Sequence, residues 1–161
     1  MEIKKSDLKD LDKILIVYQK ARDYMKKTNN PTQWGDTRPE AYKIIEDINK
    51  GIHFSICDND SIIACFTFYI GIDPFYNYIE GSWLDDKEYG VIHKVASDQS
   101  HKGIMKLIFD YCFKQIKNIR IDTHKDNSTM IHCIKSNGFT YCGIVYVDDN
   151  TPRRAYQKEI I

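Results

Sequence analysis

Residues 97–112, "SDQSHKGIMKLIFDYC", join a polar run, a lone glycine and the first turns of an amphipathic pattern. They follow the apolar run "YGVIHKVA" at 89–96, which has the composition of a strand. A strand, a tight polar turn and a helix N-terminus make an anion site from backbone alone, because unpaired N–H groups and the helix dipole favour a bound anion. What can be inferred about function therefore depends on whether an anion binds beside Gly103 or whether this glycine only allows a turn.

Composition and charge exclude several classes of protein. The 161 residues carry 23 Lys and Arg against 23 Asp and Glu, so net charge is zero and no nucleic-acid or anionic-membrane partner is indicated. The longest apolar run, at 62–72, is too short to span a bilayer. The N-terminus lacks the apolar core of a signal peptide, and five scattered cysteines indicate reduced thiols. We expect one cytoplasmic domain over 1–161.

The hydrophobic patterns predict a mixed α/β fold of order βααβββαβαββ. Ser6 is expected to cap the first helix, and the third helix is expected to bury Ile104, Leu107, Ile108, Tyr111 and Ile116. The strands are expected at 1–6, 53–71 as a hairpin, 91–98, 119–124, and 139–147 with 153–160 as a last hairpin; the helices at 7–27, 40–50, 101–118 and 126–137. A strand–helix–strand unit in the middle implies a parallel pair within a sheet of hairpins.

This order, with two local motifs, resembles the GCN5-related N-acetyltransferase (GNAT) superfamily over nearly the whole chain. The first motif is a strand valine followed by Gln/Arg-x-x-Gly-x-Gly/Ala at the start of a helix. Here Val95 is the strand residue and Gly103 matches, whereas Ser100 stands where Gln or Arg is usual and Met105 where the second Gly or Ala is usual.

The second motif lies in "IDTHKDNSTMIHCIKSNGFTYCG", residues 121–143. Asn127 before a short helix, then Gly138 and Phe139 at the next strand, fall where the family has them. Four residues before that glycine, many members carry a tyrosine that protonates the leaving thiolate, and this chain has Ile134.

The resemblance implies a GNAT-like acyl-CoA N-acyltransferase fold with splayed central parallel strands, and acetyl-CoA as co-substrate. Its diphosphate would lie at the loop containing Ser100, on the amides of residues 101–105, which are His101, Lys102, Gly103, Ile104 and Met105. Its pantetheine arm would pair with backbone near Val95 and bond Asn127. Asn127 is equally a good N-cap for its own helix.

Acetyl transfer to an amine needs a base, a stabilised thioester oxygen and a leaving thiolate. The strand offers no Glu, so His93 is the first candidate base, and its backbone N–H is the candidate donor to the oxygen. His124, oriented by Asp122, is the second candidate. Tyr146, with Tyr141, is a candidate acid in place of Ile134. Alternatively, His93 is a hydrogen-bonded core residue and His124 caps "DNSTM".

The acceptor site in this family is walled by the loop between the first two helices and the loop before the central strand. Here these loops supply aromatic rings and acids, which suit the primary amine of a small molecule or peptide. The candidate substrate residues are Trp34, Tyr76, Tyr78, Glu80 and Trp83. The alternative is that such aromatics only pack over the core.

Two function classes remain open on the sequence. The first is an N-acetyltransferase acting by direct transfer in a ternary complex. The second is an acyl-CoA-binding module without catalysis, which Met105 and Ile134 favour. No metal is expected, because the histidines show no ligand spacing. The last hairpin offers an edge for a homodimer.

Overall fold

The computed structural model describes all residues, Met1–Ile161, and contains eight strands and four α-helices. The strands are β1 (Glu2–Lys5), β2 (His53–Asp58), β3 (Ser61–Ile70), β4 (Glu80–Gly81), β5 (Gly90–Ser97), β6 (Asn118–Thr123), β7 (Thr140–Tyr146) and β8 (Pro152–Glu159). The helices are α1 (Leu11–Lys27), α2 (Ala41–Asn49), α3 (Ile104–Phe113) and α4 (Ser128–Ser136). None of the four helices is long and apolar enough to cross a membrane.

The strands form one mixed sheet in the order β1-β2-β3-β5-β6-β8-β7-β4. β5 and β6 are parallel, as a crossover through α3 requires, whereas the hairpins are antiparallel. The parallel ladder joins Gly90 with Ile119 and Val91 with Arg120, at the start of β5. The predicted mixed α/β fold is confirmed, with one strand more than expected, because two-residue β4 pairs with β7.

Two local predictions on helices are wrong. Ser6 does not cap α1, because a 3-10 turn at Leu8–Asp10 precedes the helix and the side chain of Asp7 caps that turn instead. The third helix ends at Phe113, so Ile116 lies beyond it. Its buried residues are Ile104, Met105, Ile108, Phe109 and Cys112. Nearly every position of α3 is apolar, so periodicity alone did not select the buried side.

The two strands of the last hairpin differ in how far they are covered by other strands. β8 lies inside the sheet, because it pairs with β6 along six residues and with β7 on its other side. β4 covers β7 at Gly143 and Ile144. β8 therefore offers no free edge to a second copy, and a homodimer through this hairpin stays a prediction.

The chain packs as two compact units, which are Met1–Phe68 with His93–Ile104, and Tyr69–Ile92 with Met105–Ile161. In the first unit, α1 and α2 bury Ile14, Val17, Tyr18 and Ile44 in one apolar cluster. In the second unit, Tyr76, Tyr89, Val91, Val145 and Ala155 form another cluster. The residues with candidate chemistry are divided between the two units.

Candidate active site

The candidate anion turn lies in the first unit, between β5 and α3. Gly103 has φ +78°, and α3 begins at the next residue. No heavy atom lies within 4 Å of the position that a Cβ at Gly103 would occupy. Glycine is thus required by backbone conformation, and the space beside it is open.

Side chains hold the polar run before this glycine in one conformation. The amides of Gln99 and Ser100 donate to Ser97 Oγ (3.1 Å) and Asp98 Oδ1 (2.9 Å). Ser100 Oγ contacts His101 Nδ1 at 2.7 Å, and His101 Nε2 lies 2.8 Å from Asp58 Oδ2. The imidazole of His101 is therefore held by a carboxylate, whereas Lys102 is exposed on the turn.

Met105 replaces a usually small residue but does not fill the turn. Its side chain is only 9% exposed and belongs to the buried face of α3. Ile104 before it is likewise buried. The amides at this end of the helix are thus not covered by the methionine side chain that the sequence placed beside them.

β5 carries a backbone irregularity at Lys94, whose φ is +53°. A lysine in the left-handed region costs roughly 1–2 kcal/mol relative to its ordinary conformations. The two-residue period of a strand does not continue through such a residue. Alternation along the strand therefore does not place His93 and Val95 on one face, and both residues are half-buried.

Lys94 is held through both its main chain and its side chain. The hydroxyl of Tyr18 donates to the Lys94 carbonyl at 2.9 Å. Lys94 Nζ donates to Asp47 Oδ2 at 2.8 Å, and Thr67 Oγ1 donates to the same oxygen at 2.7 Å. No local motif in the sequence marks Tyr18, Asp47 and Lys94, because their contacts join residues that are far apart along the chain.

Asn127 and His124 occupy the turn before α4, in the second unit. Asn127 Oδ1 accepts from the amide of Met130 at 3.1 Å, so it is the N-cap of α4. His124 Nδ1 accepts from the amide of Asp126 at 3.0 Å. Burial, and then the charge of Arg153, lowers the pKa of His124. The N-cap alternative for Asn127 is thus confirmed, whereas His124 bonds an amide of the preceding turn and is not the cap of α4.

Tyr76 and Trp83 are packed into the second unit. Tyr76 is 1% exposed, its hydroxyl donates to Asp122 Oδ2 at 2.5 Å, and burial with the nearby Asp122 charge raises its pKa well above the usual value. Trp83 Nε1 donates to the Tyr76 carbonyl at 2.9 Å. The guanidinium carbon of Arg120 lies 4.3 Å from the Trp83 ring centroid. These two aromatics thus pack over the core of their unit.

Tyr78, Glu80 and Tyr146 form the exposed part of the aromatic set, also in the second unit. Tyr146 donates to Glu80 Oε1 at 2.7 Å, and the rings of Tyr78 and Tyr146 lie 6.5 Å apart. The hydrogen bond to Glu80 raises the pKa of Tyr146. The unexpected strand β4 brings these residues together, because Glu80 pairs with Ile144 of β7.

The remaining candidates have structural neighbours of their own. Trp34 belongs to the first unit and lies 5.8 Å from the Tyr18 ring. Ile134, at the position of the family's tyrosine, is fully buried in α4. No group of three or more His, Cys, Asp or Glu side chains is arranged to hold a metal ion.

By sequence alone, no family model and no curated protein matches the chain. A GNAT-family acetyltransferase from Streptococcus agalactiae 2603 matches its structure with a TM-score of 0.89 and 28% identity, over 99% of this chain and 95% of that one. A GNAT phosphinothricin acetyltransferase from Sinorhizobium meliloti, in complex with AcCoA, matches at 0.65 and 10%, over 99% and 88%. The NatC complex bound to Gag peptide and CoA matches at 0.60 and 17%, over 100% of both chains. The chain belongs to the GCN5-related N-acetyltransferase superfamily.

Proposed function

We propose that the chain is an N-acetyltransferase that moves the acetyl group of acetyl-CoA directly to a primary amine of a small molecule or peptide. The observation that carries the proposal is the likeness to the Streptococcus agalactiae acetyltransferase, which extends over 99% of the chain. The open, positive-φ glycine turn at the start of α3 supports it independently.

The turn before α3 suits the diphosphate of coenzyme A. Residues 101–105 would offer backbone amides to it, and the exposed ammonium of Lys102 adds positive charge. The open space beside Gly103 lets an anion come close to the backbone. The carboxylates of Asp58 and Asp98 are already engaged with His101 and Ser100, which limits their repulsion of an anion.

The backbone of β5 around Lys94 would bind the pantetheine arm and the thioester of acetyl-CoA. Val95 would pair with the pantetheine arm, and the N–H of His93 would donate to the thioester oxygen as negative charge develops on it. We propose the His93 side chain as the base that takes the proton from the ammonium, and His124 as the second candidate. Acetyl-CoA supplies the activated acetyl group, and its thiolate is the leaving group.

Tyr146 is retained as the proposed acid. Its phenol is protonated at neutral pH, as a proton donor requires, and it donates to Glu80 Oε1. The buried Ile134 cannot take that role. Asn127, besides capping α4, has an amide N–H₂ that could bond the arm.

We propose that the exposed set Tyr78, Glu80 and Tyr146 attracts the acceptor amine. A carboxylate beside two aromatic rings favours a cation through charge and ring faces. Trp34, Tyr76 and Trp83 support the acceptor loops rather than presenting rings to the substrate. The free thiols of all five cysteines fit a reducing compartment, and we propose the cytoplasm.

We expect polyamines and aryl-alkylamines to be better acceptors than amines bearing carboxylates. The acetylation rate of each amine in a panel, measured at fixed acetyl-CoA, tests this expectation. Glu80→Gln should reduce the preference for cations. An equal or better rate with acidic amines would contradict the proposed acceptor class.

Two measurements on the intact chain test the reaction. Calorimetry gives the affinity for acetyl-CoA, and release of free thiol from acetyl-CoA over the amine panel gives turnover. Binding with amine-dependent release supports the transferase. Binding without release from any amine supports the acyl-CoA-binding module, and absence of binding at millimolar coenzyme rejects both.

A further inference from the structure

A chain of hydrogen bonds in the first unit ends on the backbone of β5. Ser55 Oγ lies 2.6 Å from Ser6 Oγ, which lies 2.6 Å from His53 Nδ1. His53 Nε2 lies 2.9 Å from the oxygen of Tyr18, and that hydroxyl donates to the carbonyl of Lys94 at 2.9 Å. Ser55, His53 and Tyr18 are no more than 1% exposed, whereas Ser6 is half-buried, so the bond between His53 and Tyr18 is the one shielded from water.

The number of protons available fixes which group donates and which accepts in each of these hydrogen bonds. The single hydroxyl proton of Tyr18 goes to the Lys94 carbonyl, so His53 must donate from Nε2 to the tyrosine oxygen. A neutral imidazole then accepts at Nδ1 from the hydroxyl of Ser6, and Ser6 accepts from Ser55. Burial, which lowers the pKa of His53 to about 4, keeps the ring neutral at physiological pH.

The last acceptor in this series of hydrogen bonds is the carbonyl of Lys94, the residue with the unfavourable backbone conformation. Lys94 has φ +53° in the middle of a strand and is not glycine, so its conformation persists only where surrounding contacts impose it. Asp47, itself only 7% exposed, holds the side chain of Lys94, and Tyr18 holds its carbonyl. Both contacts come from helices that pack on this part of β5, α1 and α2.

We propose that Tyr18 and His53 are positioning residues that hold Lys94 in its left-handed conformation, and thereby set the directions of the backbone groups of His93 and Val95. The proposal rests on the proposed acetyl transfer, in which those two residues meet the thioester and the pantetheine arm. Return of Lys94 to an ordinary extended conformation would turn the strand and re-aim the groups of its neighbours.

A purely structural role for the same network is the competing explanation. Tyr18 also belongs to the apolar cluster of the first unit, so its substitution affects stability in either case. The two explanations differ at Lys94. A positioning role requires that the effect of losing the Tyr18 hydroxyl vanish when residue 94 no longer needs to be held, and a structural role does not.

The decisive experiment is a double-mutant cycle between Tyr18→Phe and Lys94→Gly. Glycine adopts positive φ without strain, so with Lys94→Gly residue 94 no longer needs Tyr18 and His53 to hold its backbone conformation. We expect Tyr18→Phe to raise the apparent Kd for acetyl-CoA about tenfold in the native background, the size of one lost hydrogen bond, and less than about twofold in the Lys94→Gly background. An equal loss in both backgrounds would overturn the proposal.

One control variant and one matched pair of variants accompany the cycle. Tyr156→Phe removes another tyrosine hydroxyl, one engaged with Arg154 on a residue that is 1% exposed, and should leave acetyl-CoA affinity unchanged. His53→Gln retains an N–H donor for Tyr18, whereas His53→Leu retains none. We expect His53→Leu to weaken acetyl-CoA binding as Tyr18→Phe does, and His53→Gln to restore most of the affinity.

A measurement on the free protein separates failure of the clamp from failure of the proposed function. The Cα and Cβ chemical shifts of Lys94 and the amide shifts of its neighbours report the backbone conformation without coenzyme. Tyr18→Phe should move the Lys94 shift toward extended values. If the Lys94 shift moves although the native chain binds no acetyl-CoA, Tyr18 does hold the conformation of Lys94 and the proposed function is wrong. If the Lys94 shift stays unchanged, the positioning role of Tyr18 is rejected, whether or not the chain binds acetyl-CoA.

Discussion

At the scale of single residues, most of the proposed chemistry lies on either side of Lys94. Its positive φ ends the strand period between His93 and Val95, so the side chain and the amide of His93 cannot be placed by counting along the strand. The carbonyl of Lys94 is bonded to a tyrosine that is 76 residues earlier in the chain. No window of sequence contains both residues.

Replacement of His93 by Ala tests its proposed role as base. We expect kcat to fall by about 10²–10³, since a positioned proton acceptor contributes that order of acceleration, with acetyl-CoA Kd changed by less than about twofold. Steady-state kinetics and calorimetry measure the two quantities. The exposed His132→Ala on α4 is the control and should change neither. Unchanged kcat would remove the His93 side chain from the mechanism.

Gly103→Ala tests the anion turn, with Gly35→Ala as a matched control. Both glycines have positive φ, and neither has a heavy atom within 4 Å of a Cβ position, so the two substitutions should cost similar stability, about 1 kcal/mol. We expect only Gly103→Ala to weaken coenzyme A binding, about tenfold or more, because its methyl group enters the space proposed for the diphosphate. Thermal unfolding and calorimetry give the comparison. Equal affinity in the two variants would argue against a diphosphate there.

At the scale of elements, caps and turns decide where helices begin. The predicted cap of α1, Ser6, instead bonds His53 and Ser55, and Asp7 caps the 3-10 turn that comes first. Ser6 was predicted from its local preference for N-cap positions, which tertiary partners override. The predicted cap of α4, Asn127, is confirmed, because its bond to Met130 is three residues away.

Two substitutions distinguish the role of Asn127 as the cap of α4 from its proposed role in binding acetyl-CoA. Asn127→Ala removes the cap of α4 and should lower the free energy of unfolding by about 1 kcal/mol. Asn127→Ser keeps a capping oxygen but loses the amide N–H₂, so stability should be nearly native while acetyl-CoA affinity falls. Denaturant unfolding and calorimetry provide the two readouts. If Asn127→Ser binds acetyl-CoA as the native chain does, Asn127 is only a cap.

At the scale of the whole molecule, the buried neutral His53 makes stability depend on pH. Its folded pKa of about 4 lies below the ordinary value of about 6.5, so the unfolded chain takes up this proton first as pH falls. The free energy of unfolding should therefore be undiminished above about pH 6.5 and decrease by up to about 3 kcal/mol between about pH 6.5 and 4.

Urea unfolding at a series of pH values measures this dependence. His53→Gln cannot take up the proton, so its stability should fall less over the same interval. Acidic groups titrate in both proteins and cancel in the difference. Parallel stability curves for the two proteins would contradict the assignment of this acid sensitivity to His53.

Much of the fold and part of the candidate site followed from local pattern. The mixed sheet, the parallel pair around α3, the glycine turn at Gly103 and the cap at Asn127 were all predicted. Each depends on residues within one strand, one helix or one turn, where periodicity and backbone preference act directly. Two-residue β4 was missed because it pairs with distant residues of β7, Glu80 with Ile144 and Gly81 with Gly143, and is too short to show a period.

The sequence by itself determined the class of fold and the position of the glycine turn, because hydrophobic period and glycine conformation are local properties of the chain. Only the tertiary structure decided which side chains act on β5. It placed His53 and Tyr18 against Lys94, turned Met105 into the buried face of α3, and committed Tyr76 to Asp122. The physical reason is that buried hydrogen bonds select partners by distance in space, and such partners leave no spacing in the sequence.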